Sequence, residues 1–173
     1  FVLGKPIAGG VPASVWGFTD DVARRLDAVR AQTPPGHSGM GTTLSANALA
    51  LAAMRATLEH VMTPKAYRHM ERLAGLLADG LQETITARNL PWHVVRVGAR
   101  VEFVCAPGPL RNGTQAEAAH APALEQAIHL ALLNRGCLIA PFHNMMLACP
   151  ATTETQVARL QDAFAAVTDA LVA

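Results

Sequence analysis

Apolar positions in this chain follow two rhythms. Over residues 64–88, Tyr67, Met70, Leu73, Leu76, Leu77 and Leu81 recur at three- and four-residue intervals, the spacing of one helix face. Thr63-Pro64 marks its start, with threonine at the cap and proline at the first helical position. The same rhythm predicts a short helix over 19–31, capped by Thr19 with Asp20 and Asp21 in its first turn. A third helix is expected over 46–61, capped by Ser45 and rich enough in alanine and leucine to be buried on most sides. "ALEQAIHLALLNRG" predicts a helix that stops at Gly136. "TTETQVARLQDAFAAVTDALV" predicts a last one, opened by a capping box between Thr153 and Gln156.

The second rhythm is shorter. "FVLGK" has the look of a strand end, followed by a glycine turn and a second strand over 11–18. Residues 92–105 predict two β segments meeting at Gly98, and "CLIAP" and "NMMLAC" predict paired short strands. Two loops rich in proline and glycine, "QTPPGHSGMGTT" and "APGPLRNGTQ", interrupt the pattern. The expected fold is α/β, with a strand-and-helix region over 1–62. A second region over 63–173 places helices on one side of a short sheet.

Composition adds to this picture in three places. Hydrophobic residues make up 51% and charged residues 16% of the 173, so part of the surface is expected to be covered by another segment or chain. A net charge of +1 gives no basic stripe for nucleic acid. Cys105, Cys137 and Cys149 are odd in number, contain no CxxC pair and sit in apolar contexts. They read as buried free thiols in a reducing cytoplasm. No apolar run reaches membrane length and no signal peptide opens the chain. A chain that starts in mid-strand without methionine reads as the C-terminal part of something longer.

Two stretches can carry chemistry. In "LGKPIAGGVPASVWG" (3–17), Lys5 lies between Gly4 and Pro6, with Gly9 and Gly10 close behind. An amine at a strand end, partly desolvated, is suited to attack an aldehyde; a solvated lysine in a turn is the plainer reading. In "GHSGMGTTLSAN" (36–47), glycines and hydroxyls precede a helix N-terminus, where backbone N–H groups hold phosphate. Gly36 and Gly41 have the spacing of a nucleotide P-loop, but Thr42 stands where its lysine must be, which argues against ATP. A phosphate on Thr43 and neighbouring amides stays open.

Taken together the two stretches resemble the class III aminotransferases, which depend on pyridoxal phosphate and include glutamate-1-semialdehyde aminomutase and ω-amino acid aminotransferases. "LLNRGCLIAP" and "ATTETQVARLQDAF" resemble the family's late segments. The resemblance runs the length of the chain but covers the last two-fifths of a typical member. It implies the C-terminal part of a fold-type I PLP-dependent transferase: residues 1–62 ending the large cofactor-binding domain and residues 63–173 forming the small α/β domain.

Carried across, Lys5 matches the Schiff-base lysine. Thr43 matches the threonine that binds the cofactor phosphate from the neighbouring subunit of a homodimer, with the Thr42 amide assisting. "ANA" (46–48) replaces the family's usual "GNP", and "IAGGVPAS" is a mild variant of its glycine run. The implied reaction moves an amino group between an amino acid or amine and a keto acid or aldehyde. An aminomutase or racemase on the same scaffold, or a non-catalytic fragment used for dimerisation, is the alternative. The family's pyridine-binding aspartate, stacking aromatic and glycine-serine phosphate loop all precede the lysine, so this segment alone is expected to be catalytically incomplete.

Other residues take lesser roles. Arg111, in "GPLRNG", is a candidate for the substrate carboxylate. Arg100 beside Glu102 is expected to be structural, Trp16 and Trp92 to fill core or interface, and Met145 and Met146 to pack. "FHNMM" lacks the mobile carboxylate-binding arginine of some relatives. The seven histidines share no metal-ligand spacing, so no metal is expected.

Overall fold

A computed structural model describes residues 1–36, 41, 44–140 and 143–172. The chain divides into two units, Phe1–Thr63 and Pro64–Ala173.

In the first unit, β1 (Val2–Leu3) pairs antiparallel with β2 (Val15–Trp16), Val2 opposite Trp16 and Leu3 opposite Val15. The strand expected over 11–18 is thus confined to two residues, because the glycine and proline positions at 9–12 spend their backbone on turns. A 3-10 turn, Lys5–Ala8, lies between the strands. Helix α1 (Asp20–Arg30) begins as expected, with Thr19 Oγ1 accepting from Val22 N at 3.5 Å.

Helix α2 (Ala48–Ala56) is shorter than predicted and is capped by Asn47, whose side-chain oxygen accepts from Ala50 N at 2.9 Å. Asparagine is as good a cap as the serine two residues earlier, and Ala46 adopts a left-handed φ of 55°, which ends the helical path before Ser45. Beyond Ala56 the coil widens into a π-turn, Thr57–Val61. Within α2 only Ala50 is buried, while Leu49 and Leu51 are exposed.

The second unit holds the core. Helix α3 (Pro64–Ala87) contributes Leu73, Leu77, Leu81 and Ile85, which carries the predicted face one turn further, while its other members Tyr67 and Leu76 are exposed. Strands β3 (His93–Val97), β4 (Arg100–Val104) and β5 (Met145–Leu147) form an antiparallel sheet in the order β3-β4-β5. Along β4, Val101 and Phe103 are buried while Arg100 is exposed and Glu102 half-buried, the alternation of a one-sided sheet.

"CLIAP" is not a strand in its described part: β5 pairs with β4 instead, Met146 opposite Val101. Residues 138–140 share with β5 the single bond from Ala140 N to Met145 O at 3.0 Å. The loop "APGPLRNGTQ" (106–115) runs into helix α4 (Gly113–Ala118), capped by Asn112. Helix α5 (Pro122–Asn134) buries Ile128 and Leu132, and α6 (Glu154–Val172) buries Val157, Phe164 and Val167. The predicted capping box of α6 is formed: Thr153 N donates to Gln156 Oε1 at 2.9 Å and Gln156 N to Thr153 Oγ1 at 3.2 Å.

Candidate active site

Lys5 occupies an uncommon backbone position. Gly4 before it is extended (φ −151°, ψ −148°), and Lys5 itself has φ 53°, in the left-handed region that few side chains adopt. Pro6 then fixes the direction of the 3-10 turn, and Ile7 and Ala8 beneath it are buried. Lys5 is exposed, and among the described residues its amine makes no hydrogen bond or ion pair. Strain held at a residue with an unengaged reactive group is characteristic of functional positions.

The same unit contains a cavity of about 440 Å³ between the 12–16 segment and the start of α2. Ser14, Trp16, Gly41, Leu44, Asn47 and Met54 are among its walls. Gly41 and Leu44 flank the two threonines of the candidate phosphate segment; Thr42 and Thr43 themselves lie outside the described residues. Trp16 is 47% exposed and rests on Phe18 with ring centroids 5.2 Å apart, so within this unit it is not a core filler.

In the second unit, Arg111 is exposed. Its backbone N–H donates to Gln115 Oε1 at 2.7 Å, which sets the loop before α4. Arg100 donates to Glu102, the structural pairing expected for it. His143 and Asn144 both take left-handed φ, 59° and 45°. Asn144 is buried and donates from Nδ2 to Phe103 O at 3.3 Å, tying the turn before β5 to the sheet. The His143 ring lies 5.6 Å from that of His120.

The three thiols differ. Cys137 is buried and Cys105 half-buried, but Cys149 is exposed, contrary to expectation, because it sits in the turn leading to α6. Burial, and then the charge of Glu125, push the Cys105 thiol up to about 12. The Thr152 hydroxyl, which reaches Cys149 Sγ at 3.5 Å, holds that thiol below its usual value. Among the described residues no group of three or more His, Cys, Asp or Glu side chains is placed to hold a metal ion, and no helix is long and apolar enough to cross a membrane.

Sequence reasoning did not single out Thr57 or its place in the π-turn. The only signal was a threonine inside an alanine-rich helical run, where β-branching disfavours regular helix.

Known proteins resemble this chain along nearly all of it. The family described as Aminotransferase class-III matches residues 1–171. A glutamate-1-semialdehyde 2,1-aminomutase of Anaeromyxobacter sp. (strain Fw109-5) is 36% identical over 139 residues, covering 80% of this chain and 30% of that protein. The crystal structure of a glutamate-1-semialdehyde-aminomutase from Pseudomonas aeruginosa PAO1 is 47% identical with a TM-score of 0.91, covering 99% of this chain and 39% of that one. A variant of that enzyme was solved in complex with PMP. A β-phenylalanine aminotransferase from Variovorax paradoxus superimposes with a TM-score of 0.80 at 25% identity, over 98% of this chain and 38% of its own. The chain thus spans between 30% and 39% of the length of these relatives. Its α/β units are part of a fold-type I transferase, and the chain belongs to the class III aminotransferase family.

Proposed function

We propose that this chain carries the Schiff-base lysine and the small domain of a pyridoxal-phosphate-dependent aminotransferase. The observation that carries the reading is Lys5: an exposed amine with no hydrogen bond or ion pair among the described residues, on a left-handed backbone, inside a family match over residues 1–171. Residues 1–62 end the large cofactor-binding domain, and residues 63–173 are the small domain.

The donor chemistry suits the cofactor. An aldehyde needs an accessible amine, and Lys5 offers an exposed one. Thr43, assisted by the Thr42 amide, holds the phosphate from the neighbouring subunit of a homodimer, and the active sites lie at that interface. When bound, pyridoxal phosphate supplies the electron sink for charge left at the substrate α-carbon. Lys5 would hold the cofactor at rest. With its amine freed, Lys5 would take the substrate α-proton as general base and, as general acid, deliver it to the cofactor's C4′ carbon. Arg111 receives the substrate carboxylate through its guanidinium fork. The enzyme works in the cytoplasm.

A second reading, an aminomutase on the same scaffold, is favoured by the names of the relatives at 36% and 47% identity. Product analysis of the full-length protein with an amino donor separates the two. A transaminase yields product only when a keto acid or aldehyde acceptor is added. An isomerase shifts the amino group within one substrate without an acceptor. No product in either mixture, from protein loaded with pyridoxal phosphate, would overturn both.

A further inference from the structure

Lys5 is the first residue of a turn with little slack. Its φ is 53°, Pro6 follows with a ring-fixed φ, and Gly9 closes the turn at φ 60° with its N–H on Pro6 O at 3.1 Å. Ile7 and Ala8, at 7% and 1% exposure, are buried in a turn that packs against α2 and the π-turn. At the far end, a Cβ on Gly9 would stand 3.0 Å from Thr57 Oγ1. That is closer than a methyl group and an oxygen normally approach, so a side chain there must push the Thr57 hydroxyl aside, besides straining a left-handed backbone that suits glycine.

Thr57 is held in place from two directions. Its side chain is buried, and Oγ1 donates to Ala53 O at 2.9 Å. Its own carbonyl accepts from Met62 N at 2.8 Å, the bond that widens the helix into the π-turn. Single π-turns inside helices often mark functional positions. Here the widened turn occurs where the helix meets the lysine-bearing segment. Thr57 thus stands against the end of the turn that sets the root of Lys5.

We propose that Thr57 is a positioning residue for Lys5, acting through its contact with Gly9. The proposal rests on Lys5 as the Schiff-base lysine. A side chain this long can reach many places, and it is the backbone turn that selects among them. Misplacement of a reacting group by about 1 Å can cost up to a hundredfold in rate.

The test uses the full-length protein loaded with pyridoxal phosphate, comparing Gly9→Ala, Thr57→Ala, Thr57→Ser and the double variant Gly9→Ala/Thr57→Ala. Readouts are the visible circular dichroism of the bound cofactor, the rate of amino transfer and the melting temperature. Gly9→Ala is expected to weaken the visible dichroic band and slow amino transfer on the order of tenfold. Removing the Thr57 hydroxyl and methyl in the double variant relieves the crowding but not the left-handed φ at position 9, so it is expected to recover part of both. Thr57→Ser keeps the hydroxyl and is expected to match the parent.

A Gly9→Ala protein with the parent's band and rate, or a double variant no better than Gly9→Ala, would overturn the proposal. Should Gly9→Ala fail to fold, Thr57→Ala decides. A weakened band that Thr57→Ser does not share supports the proposal; an unchanged band overturns it. Borohydride reduction of the parent, followed by peptide mapping, separates the two layers. A label away from Lys5 overturns the assignment of Lys5 and this proposal with it. A label on Lys5 alongside uncoupled variants overturns this proposal alone.

Discussion

The rings of Phe103 on β4 and Phe164 on α6 meet with centroids 4.9 Å apart and planes inclined by 50°. Both side chains are almost fully buried, and Trp92 stacks on Phe103 with ring centroids 6.3 Å apart. This pair joins the sheet to the last helix at the centre of the second unit's core.

Truncating Phe164 to alanine leaves a cavity that the sheet and α3 cannot collapse to fill. The expected loss is about 3–5 kcal/mol in chemical denaturation. Phe164→Leu, which keeps most of the volume, is expected to cost less.

Gly80 on α3 faces Gln161 on α6, and a Cβ there would run into the Gln161 amide. That amide donates from Nε2 to Leu76 O at 2.8 Å. In Gly80→Ala, the helix-propensity gain of about 1 kcal/mol offsets the loss of one hydrogen bond, worth about 1 kcal/mol. Near-neutral stability is expected. In a Gln161→Ala background the same substitution is expected to stabilise by about 1 kcal/mol, since nothing then opposes the propensity gain. Equal effects in both backgrounds would contradict the packing described.

The two accessible thiol environments predict an order of reaction. With the Cys149 thiol held low by Thr152 and Cys105 pushed up by burial, a thiol reagent near neutral pH is expected to modify Cys149 first. Mass spectrometry of the modified peptides reads this directly. Thr152→Val, which deletes the hydroxyl, is expected to slow it.

Cys105 also gives a pH signature. Its folded value of about 12 lies above the ordinary thiol value of 9.0, so the folded state retains a proton that the unfolded chain gives up. Its contribution is complete below pH 9.0 and is lost as pH rises from there towards 12. Cys105→Ala is expected to flatten that part of the stability profile, measured by denaturant midpoints across the alkaline range.

Much of the fold was legible because long periodic runs leave little choice. The face Leu73–Leu77–Leu81, the turn at Gly98 and the Thr153–Gln156 box all follow from spacing alone. The failures were local. Ser45 lost the cap to Asn47 through the left-handed Ala46, and the strand around 11–18 shrank because turn chemistry outweighed its apolar residues. Local pattern pairs "CLIAP" with "NMMLAC", whereas β5 pairs with β4 across the intervening helices, a long-range choice that local pattern does not encode. At the candidate site, Lys5 was visible as a motif. Its left-handed backbone and the Thr57–Gly9 contact depend on where α2 widens, which no residue type announces by itself.

The central claim is that Lys5 carries pyridoxal phosphate. The most direct test is borohydride reduction of the full-length protein incubated with the cofactor, followed by peptide mapping, alongside Lys5→Ala. The expected result is a visible band lost on reduction, a phosphopyridoxyl label on the peptide containing Lys5, and neither in the variant. A label on another lysine, or a parent that binds the cofactor without a reducible link, would contradict the claim.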